Sequence, residues 1–263
     1  MSSDDLPPLT DAELARYEWQ MWTRGIGELG QRKLKAASVL ISRIGGVGGT
    51  AALHLAAAGV GRLILAHAGD IRLSDLNRQL LMTTPALGQP RIASARERLQ
   101  ALNPLVEVFT VPANVGPDNA ERLVAQADVV IDAAPRFEER FLLNAAAVRQ
   151  GKPLVEAAMY DFDGQLTTIL PGSTGCLRCL YPELPAHWRR EFPVFGAVAG
   201  TIGSLAAVET LKLITGVGEP LAGVLLQVDL RAMRFLRLPF GRNPHCPVCG
   251  AASASPVRDA AGA

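Results

Sequence analysis

"ASVLISRIGGVGGTAALHLAAAGVGRLILAHA", Ala37 to Ala68, carries the reading on which the fold turns. It opens with a short apolar run, ASVLIS, passes through Gly45, Gly46, Gly48 and Gly49, and continues as an alanine-rich stretch into a second apolar run, RLILAHA. Short apolar runs bounded by glycine read as buried strands, and the stretch between them reads as a helix from Gly48 to Ala58. Strand, glycine turn, helix and strand make one βαβ unit. Its turn is where backbone N–H groups at a helix start can meet a phosphate. Arg43 stands where the first glycine of such a loop is expected, so the loop reads either as a working cradle or as an altered one.

The same alternation continues outward. RIASARERLQALN reads as a helix with Ile92, Ala95 and Leu99 on one face, VEVFTVPA as a strand, NAERLVAQA as a helix, DVVIDAAP as a strand, RFEERFLLNAAAVRQ as a helix and PLVEAAM as a strand. Alternating strands and helices predict a Rossmann-like α/β fold with a doubly wound, mostly parallel sheet. After Tyr160 the pattern changes to QLTTILPG and VLLQVDLRAMRFLRLPF around one long helix, GSLAAVETLKLITG, which predicts an antiparallel C-terminal extension.

Composition narrows the classes. A chain of 263 residues, 49% hydrophobic and 19% charged, can bury a sizeable core. A net charge of +1 gives no electrostatic reason to expect nucleic acid or an anionic membrane as partner. With no charged-then-apolar leader and no uninterrupted apolar run of about 18 residues, a cytoplasmic protein is expected. Residues 1–10 and 251–263 read as loose tails around a single domain, residues 11–250. Arginine outnumbers lysine, 22 to four, and no lysine lies between positions 36 and 151.

Cys176 and Cys179, then Cys246 and Cys249, form two C-x-x-C pairs with 66 residues between them, each near glycine or proline turns. Tetrahedral thiolate coordination of a structural zinc ion suits that spacing. A redox dithiol or disulfides are the competing readings; two pairs in a chain expected to be cytosolic, with no cysteine left over, argue against both. Such a zinc would use every thiol in the chain.

Several stretches together resemble one family. RYEWQMW, GELGQRKLKAASVLI, GGVGG, AAAGVGRLIL, LSDLNRQLL, GQPRIASARERLQALNP, GCLRCLYP, GTIGSLAAVETLKLITG and NPHCPVCG are similar, in order, to segments of the ThiF/MoeB/HesA family of ubiquitin-activating-enzyme-like adenylyltransferases. The resemblance runs from about Arg16 to Gly250. It implies ATP and Mg²⁺ as cofactors, a homodimer with a hetero-partner as the other possibility, and adenylation of a carboxylate. That carboxylate is the C-terminus of a ubiquitin-like sulfur carrier or a peptide with a free C-terminus.

By that resemblance Gly45, Gly46 and Gly48 offer backbone to phosphate, Arg78 contacts phosphate, and Asn77 and Gln79 flank it. The chemistry brings a carboxylate against the α-phosphorus, so the site must spread negative charge in the transition state. The chain departs from the family pattern in one neighbourhood. Arg43 replaces the first loop glycine, His67 the ribose-holding aspartate, Arg91 the lysine, Pro135 the Mg²⁺-binding aspartate, and Trp19 an arginine that crosses the dimer. Substitutes are at hand: Asp70 for the ribose, Arg91 keeping the charge though not the shape of lysine, and Asp132 for Mg²⁺. Arg43 reads as a replacement phosphate donor or as a plug, and His67 as a ribose or base contact or as a filler. His54 reads as a packed helix residue and His245 as a neighbour of the cysteines. His187, Trp188, Arg189 and Arg190 read as a solvated loop or as a guide for an acidic peptide. Two functions stand: an ATP-dependent adenylyltransferase with a remodelled site, which leads, and a scaffold of the same fold that turns over no ATP.

Overall fold

The computed structural model describes residues 5–185 and 192–250. In chain order the elements are α1 (Asp11–Met21), α2 (Gly27–Ala36), β1 (Ser38–Ser42), α3 (Gly46–Ala57), β2 (Arg62–Ala66), α4 (Arg91–Leu102), β3 (Glu107–Val111), α5 (Ala120–Ala125), β4 (Val129–Asp132), α6 (Phe137–Arg149), β5 (Leu154–Tyr160), β6 (Asp163–Ile169), α7 (Leu177–Leu180), α8 (Gly196–Thr215), β7 (Val224–Asp229) and β8 (Arg234–Pro239). One eight-stranded sheet runs in the order β3-β2-β1-β4-β5-β6-β7-β8. Pairings among the first five strands are parallel; β5–β6, β6–β7 and β7–β8 are antiparallel. The expected parallel sheet and its antiparallel extension are both present.

The central strands are apolar throughout because both faces of the sheet are covered. Val39 and Ile41 of β1 and Leu63 and Leu65 of β2 pack with Leu55, Ile92, Ile202 and Ala206 from α3, α4 and α8. Leu40 and Ile64, one residue out of step, join Leu123 and Leu143 from α5 and α6 on the other face. Burying a side chain of this kind contributes about 1.5–3 kcal/mol. A slip of one residue in β1 would therefore exchange the two faces without exposing either, and only the paired register Ile41↔Leu65 and Ile41↔Ile131 holds it in place.

Three boundaries differ from the sequence reading. Helix α3 begins at Gly46, two residues early, because glycine opens a helix as easily as it ends one. Helix α8 begins at Gly196, and its small residues let it lie close to α3: a Cβ on Gly203 would come 2.3 Å from the Val47 carbonyl oxygen. Residues 5–10, expected within a loose tail, are anchored instead. Leu6 is buried, Arg32 donates to the carbonyls of Leu6 and Pro7, and Lys35 donates to that of Pro8. Thr10 and Glu13 then cap α1 reciprocally. Helix α8 is long and apolar enough to cross a membrane by length and composition, yet it packs along α3, β5 and β6 in the core. At one edge of the sheet β8 is exposed along its whole length, with Arg234 and Arg237 on a strand that has no further neighbour among the described residues.

Candidate active site

The C-terminal ends of β1, β2 and β4 bring three turns to one edge of the sheet: residues 43–45, 67–70 and 133–135. Ser42 is aligned with Ala66 on one side and Asp132 on the other. In open parallel sheets this edge is where ligands bind. A cavity of about 630 Å³ opens there, lined among others by Arg43, Gly45, Gly46, His67, Asp70, Arg78, Gln79 and Arg91. That volume lies within the range of small-ligand sites, roughly 300–1,000 Å³.

Helix α3 points its first turn into this cavity, and no side chain caps it. Its unfilled N–H groups and positive dipole end suit an anion. Gly48 is required by packing: a Cβ there would come 2.2 Å from the Arg43 carbonyl oxygen. Arg43 has φ 63°, the left-handed region glycine adopts without strain, so the backbone of the loop is kept although the residue is changed. Its side chain turns to α6. Nε and Nη2 each lie 2.8 Å from Glu139 Oε2, and the Val115 N–H donates to the same carboxylate at 3.3 Å.

Asp75 is the organiser of the adjoining turn. Its Oδ2 accepts from Arg91 Nη2 at 2.6 Å and from the Arg72 N–H at 2.9 Å, and its Oδ1 accepts from Gln79 Nε2 at 2.9 Å, with Arg78 Nη2 at 3.6 Å. Burial alone would raise its pKa, but the Arg72 N–H and the guanidiniums of Arg91 and Arg78 hold it below the usual carboxylate range. Arg91 also donates to the Ala68 carbonyl at 3.2 Å, so it bridges the ends of β2 and α4. Arg78 is held by the Ser74 carbonyl at 2.6 Å and Asn77 Oδ1 at 3.1 Å, with a quarter of its side chain exposed.

His67 is buried in the cavity wall. Burial and the positive charges of Arg43 and Arg91 depress its pKa to about 3, so the imidazole is neutral, and its Nδ1 has no hydrogen-bond partner among the described residues. Asp70 is exposed in the turn after β2. Asp132 does not line the cavity: it is fully buried, its Oδ1 accepting from the Ala134 N–H at 3.0 Å with Ser42 Oγ at 3.4 Å. Burial lifts its carboxyl to about 7, with Glu156 and Glu139 adding to the rise and Arg140 opposing it.

Next to this cavity lies a smaller one of about 130 Å³, and Arg140, Ala158 and Met159 line both. Its floor is a polar chain: Tyr181 donates to Gln165 Oε1 at 2.8 Å, Gln165 donates to Glu156 Oε1 at 3.2 Å, and Arg140 is ion-paired to the same carboxylate. Sequence reasoning singled out none of Asp75, Glu139, Arg140 and Glu156. Asp75 alone had a local signal, three residues before Arg78 in LSDLNRQ; the others depend on partners 16 to 96 residues away.

The two cysteine pairs do meet. All four sulfurs lie within 4.8 Å of one another, with Cys176 and Cys246 3.6 Å apart and Cys179 and Cys249 3.4 Å apart. A disulfide needs about 2.05 Å. A tetrahedral zinc with bonds of about 2.3 Å separates its sulfurs by about 3.8 Å, so the donor set fits such an ion. His245 is outside the cluster, its N–H on Asn243 Oδ1. His54 Nε2 lies 3.1 Å from Ser204 Oγ of α8, as a helix-packing residue would. Trp19 is exposed and stacks on Trp22 with ring centroids 5.6 Å apart. His187 to Arg190 lie outside the described residues.

Comparison with known proteins agrees with this architecture. The ThiF family profile matches residues 17–248. Protein HesA of Leptolyngbya boryana is 52% identical over 242 residues, 92% of this chain and 87% of the relative. The sulfur carrier protein adenylyltransferase of Thermus thermophilus is 44% identical over 250 residues, 92% of each chain. A crystal structure of E. coli MccB superimposes with a TM-score of 0.81 at 24% identity, over 90% of this chain and 74% of that one, which speaks for the fold alone.

Proposed function

The chain belongs to the ThiF family, and from that premise we propose that it activates a carboxylate by adenylation, using ATP. The likeness to a sulfur carrier protein adenylyltransferase makes the C-terminus of a ubiquitin-like sulfur carrier the first candidate substrate, and a free peptide C-terminus the second. In this reaction a carboxylate oxygen forms a bond to the α-phosphorus, the bond from that phosphorus to the bridging oxygen breaks, and pyrophosphate leaves.

One observation carries the reading: the cavity stays open although four of the residues expected in its lining are replaced. Arg43 does not plug it, because Glu139 draws the side chain onto α6. In this reading the first turn of α3, from Gly45 through Gly48, takes phosphate through backbone N–H groups, and Arg78 and Arg43 supply charge to the polyphosphate. Arg91 acts with them from its anchor on Asp75, and Asn77 and Gln79 hold the turn that presents Arg78. The neutral His67 and the exposed Asp70 face the ribose. Asp132 was expected to hold Mg²⁺, but its burial behind Ala133 and Ala134 does not fit that role, and no step is assigned to it. A scaffold that binds no nucleotide has no use for an open, arginine-lined cavity of this size.

Zinc on Cys176, Cys179, Cys246 and Cys249 would tie the C-terminal segment to α7 and add no chemistry at the phosphates. Because these are the only cysteines, no thiol of this chain remains for a thioester, and activation ends at the acyl-adenylate or passes it to a thiol on another molecule. Assembly as a homodimer, with a related subunit as the other option, accords with the family and with the prevalence of twofold dimers; sedimentation checks it.

Arg78→Ala tests the reading. Charge-assisted contacts contribute about 1.5–3 kcal/mol, so ATP affinity should fall about tenfold to a hundredfold, with ATP–pyrophosphate exchange falling alongside. A wild-type protein with no affinity for ATP at millimolar concentration, and no exchange with any carrier offered, would refute it.

A further inference from the structure

A divalent cation held by protein needs hard oxygen ligands facing the phosphates, normally one or two carboxylates completed by phosphate and water. This cavity offers little of that kind. Among the described residues Asp70 and Asp75 are the carboxylates in its lining, and both oxygens of Asp75 are occupied by Arg91, Gln79 and the Arg72 N–H. Asp70 follows β2, on the β3 side of β1, whereas the turn on the β4 side presents Ala133, Ala134 and Pro135. Proline contributes no side-chain oxygen. Asp132 sits behind that turn with no exposed surface.

Against these two acids stand six guanidinium groups in the same lining: Arg43, Arg72, Arg78, Arg91, Arg136 and Arg140. No lysine is among them. Four of the six are drawn to buried acids, Arg43 to Glu139, Arg91 and, at 3.6 Å, Arg78 to Asp75, and Arg140 to Glu156. Arg72 and Arg136, by contrast, are surface-accessible arginines in the turns after β2 and β4, and the ion pair of Arg136, to the exposed Glu138, is long at 3.9 Å. A guanidinium offers phosphate a planar fork of donors at permanent charge, which is the service a cation otherwise gives.

We infer that this site neutralises the nucleotide's polyphosphate with arginine, Arg72 and Arg136 adding to the charge of Arg78 and Arg43, and holds no Mg²⁺ on a protein carboxylate. Nucleotide affinity is then nearly independent of magnesium. The inference rests on the nucleotide reading of the cavity given above.

The full-length, metal-loaded protein is titrated calorimetrically with a non-hydrolysable ATP analogue in resin-treated buffer, and again with millimolar Mg²⁺. No soluble chelator is used, so the sulfur cluster keeps its metal. The two dissociation constants should agree within about threefold, and Arg136→Ala should weaken both by about tenfold. Pro135→Asp, which puts a carboxylate at the turn, should make binding magnesium-dependent. Binding at least about tenfold tighter with Mg²⁺ in the wild type would overturn the inference while leaving the nucleotide reading in place. Binding in neither buffer would overturn both.

Discussion

The sulfur cluster and the arginine-lined cavity are both assembled from distant segments, yet they tolerate change in opposite ways. In the cluster four identical donors converge on one point, and each is irreplaceable. In the cavity the charges are interchangeable and what matters is where each is anchored: Arg91 on Asp75, Arg43 on Glu139. A coordination site is defined by the identity of its atoms, and an electrostatic site by the sum and placement of its charges. Four replacements in the cavity lining therefore leave it open, whereas one replacement among the cysteines should dismantle the cluster.

The strongest way to break this contrast is at the cluster. The protein should carry about one zinc per chain by mass spectrometry, and Cys176→Ser or Cys249→Ser should remove it. Structural zinc is bound in peptides with roughly 10–16 kcal/mol of apparent free energy that doubles as folding energy. The variants should accordingly lose the cooperative melting of the C-terminal half. A metal-free protein with four freely reactive thiols would contradict this.

At the cavity a smaller effect is expected, and it should be reparable. Arg43→Gly releases a left-handed backbone but leaves the buried Glu139 without its partner. Stranding a buried charge costs about 3 kcal/mol, less about 1 for the relaxed backbone, so a net loss near 2 kcal/mol is expected in denaturant unfolding. Adding Glu139→Gln should return most of it, as no second substitution can do for a lost thiolate. If the double variant is no more stable than the single one, the interchangeability argued here is wrong.

The most gradual effect concerns pH. His67 has a folded pKa of about 3 against 6.5 in its ordinary state, so it stays neutral in the fold, and the stability this permits is lost as pH falls below 6.5. Asp132 has a folded pKa of about 7 against 3.8, so its contribution is present below 3.8 and lost as pH rises toward 7. Between these limits the two slopes oppose, each at most about 1.4 kcal/mol per pH unit. His67→Gln should therefore gain stability relative to wild type on acidification from neutrality, and Asp132→Asn should lose it. Parallel pH profiles for both variants would show that neither group titrates as its surroundings require.

The same contrast explains what could be read from sequence. The βαβ unit of Ala37 to Ala68 was legible because period and glycine placement are local properties, and C-x-x-C twice over names its own chemistry. Charge partnerships were not. Nothing near Arg43 announces Glu139, which lies 96 residues on, and Asp132 looked available as a ligand because its burial depends on β1 and β4 pairing through Ser42 and Asp132. The anchored residues 5–10 were missed for the same reason, since their polar composition hides carbonyls that Arg32 and Lys35 capture.

Tyr181, which ends the polar chain under the smaller cavity, follows Cys179 by two residues, while the other half of the cluster comes after β7 and β8. On a ribosome the sheet core through β5 emerges first, and Cys246 and Cys249 are made only after the terminal hairpin. The four-sulfur cluster is thus completed among the latest events in the life of the nascent chain. The short α7 turn is already held by then, its Leu177 N–H on Asn144 Oδ1 and the following Tyr181 on Gln165, so the floor of the smaller cavity is in place before the last two cysteines exist.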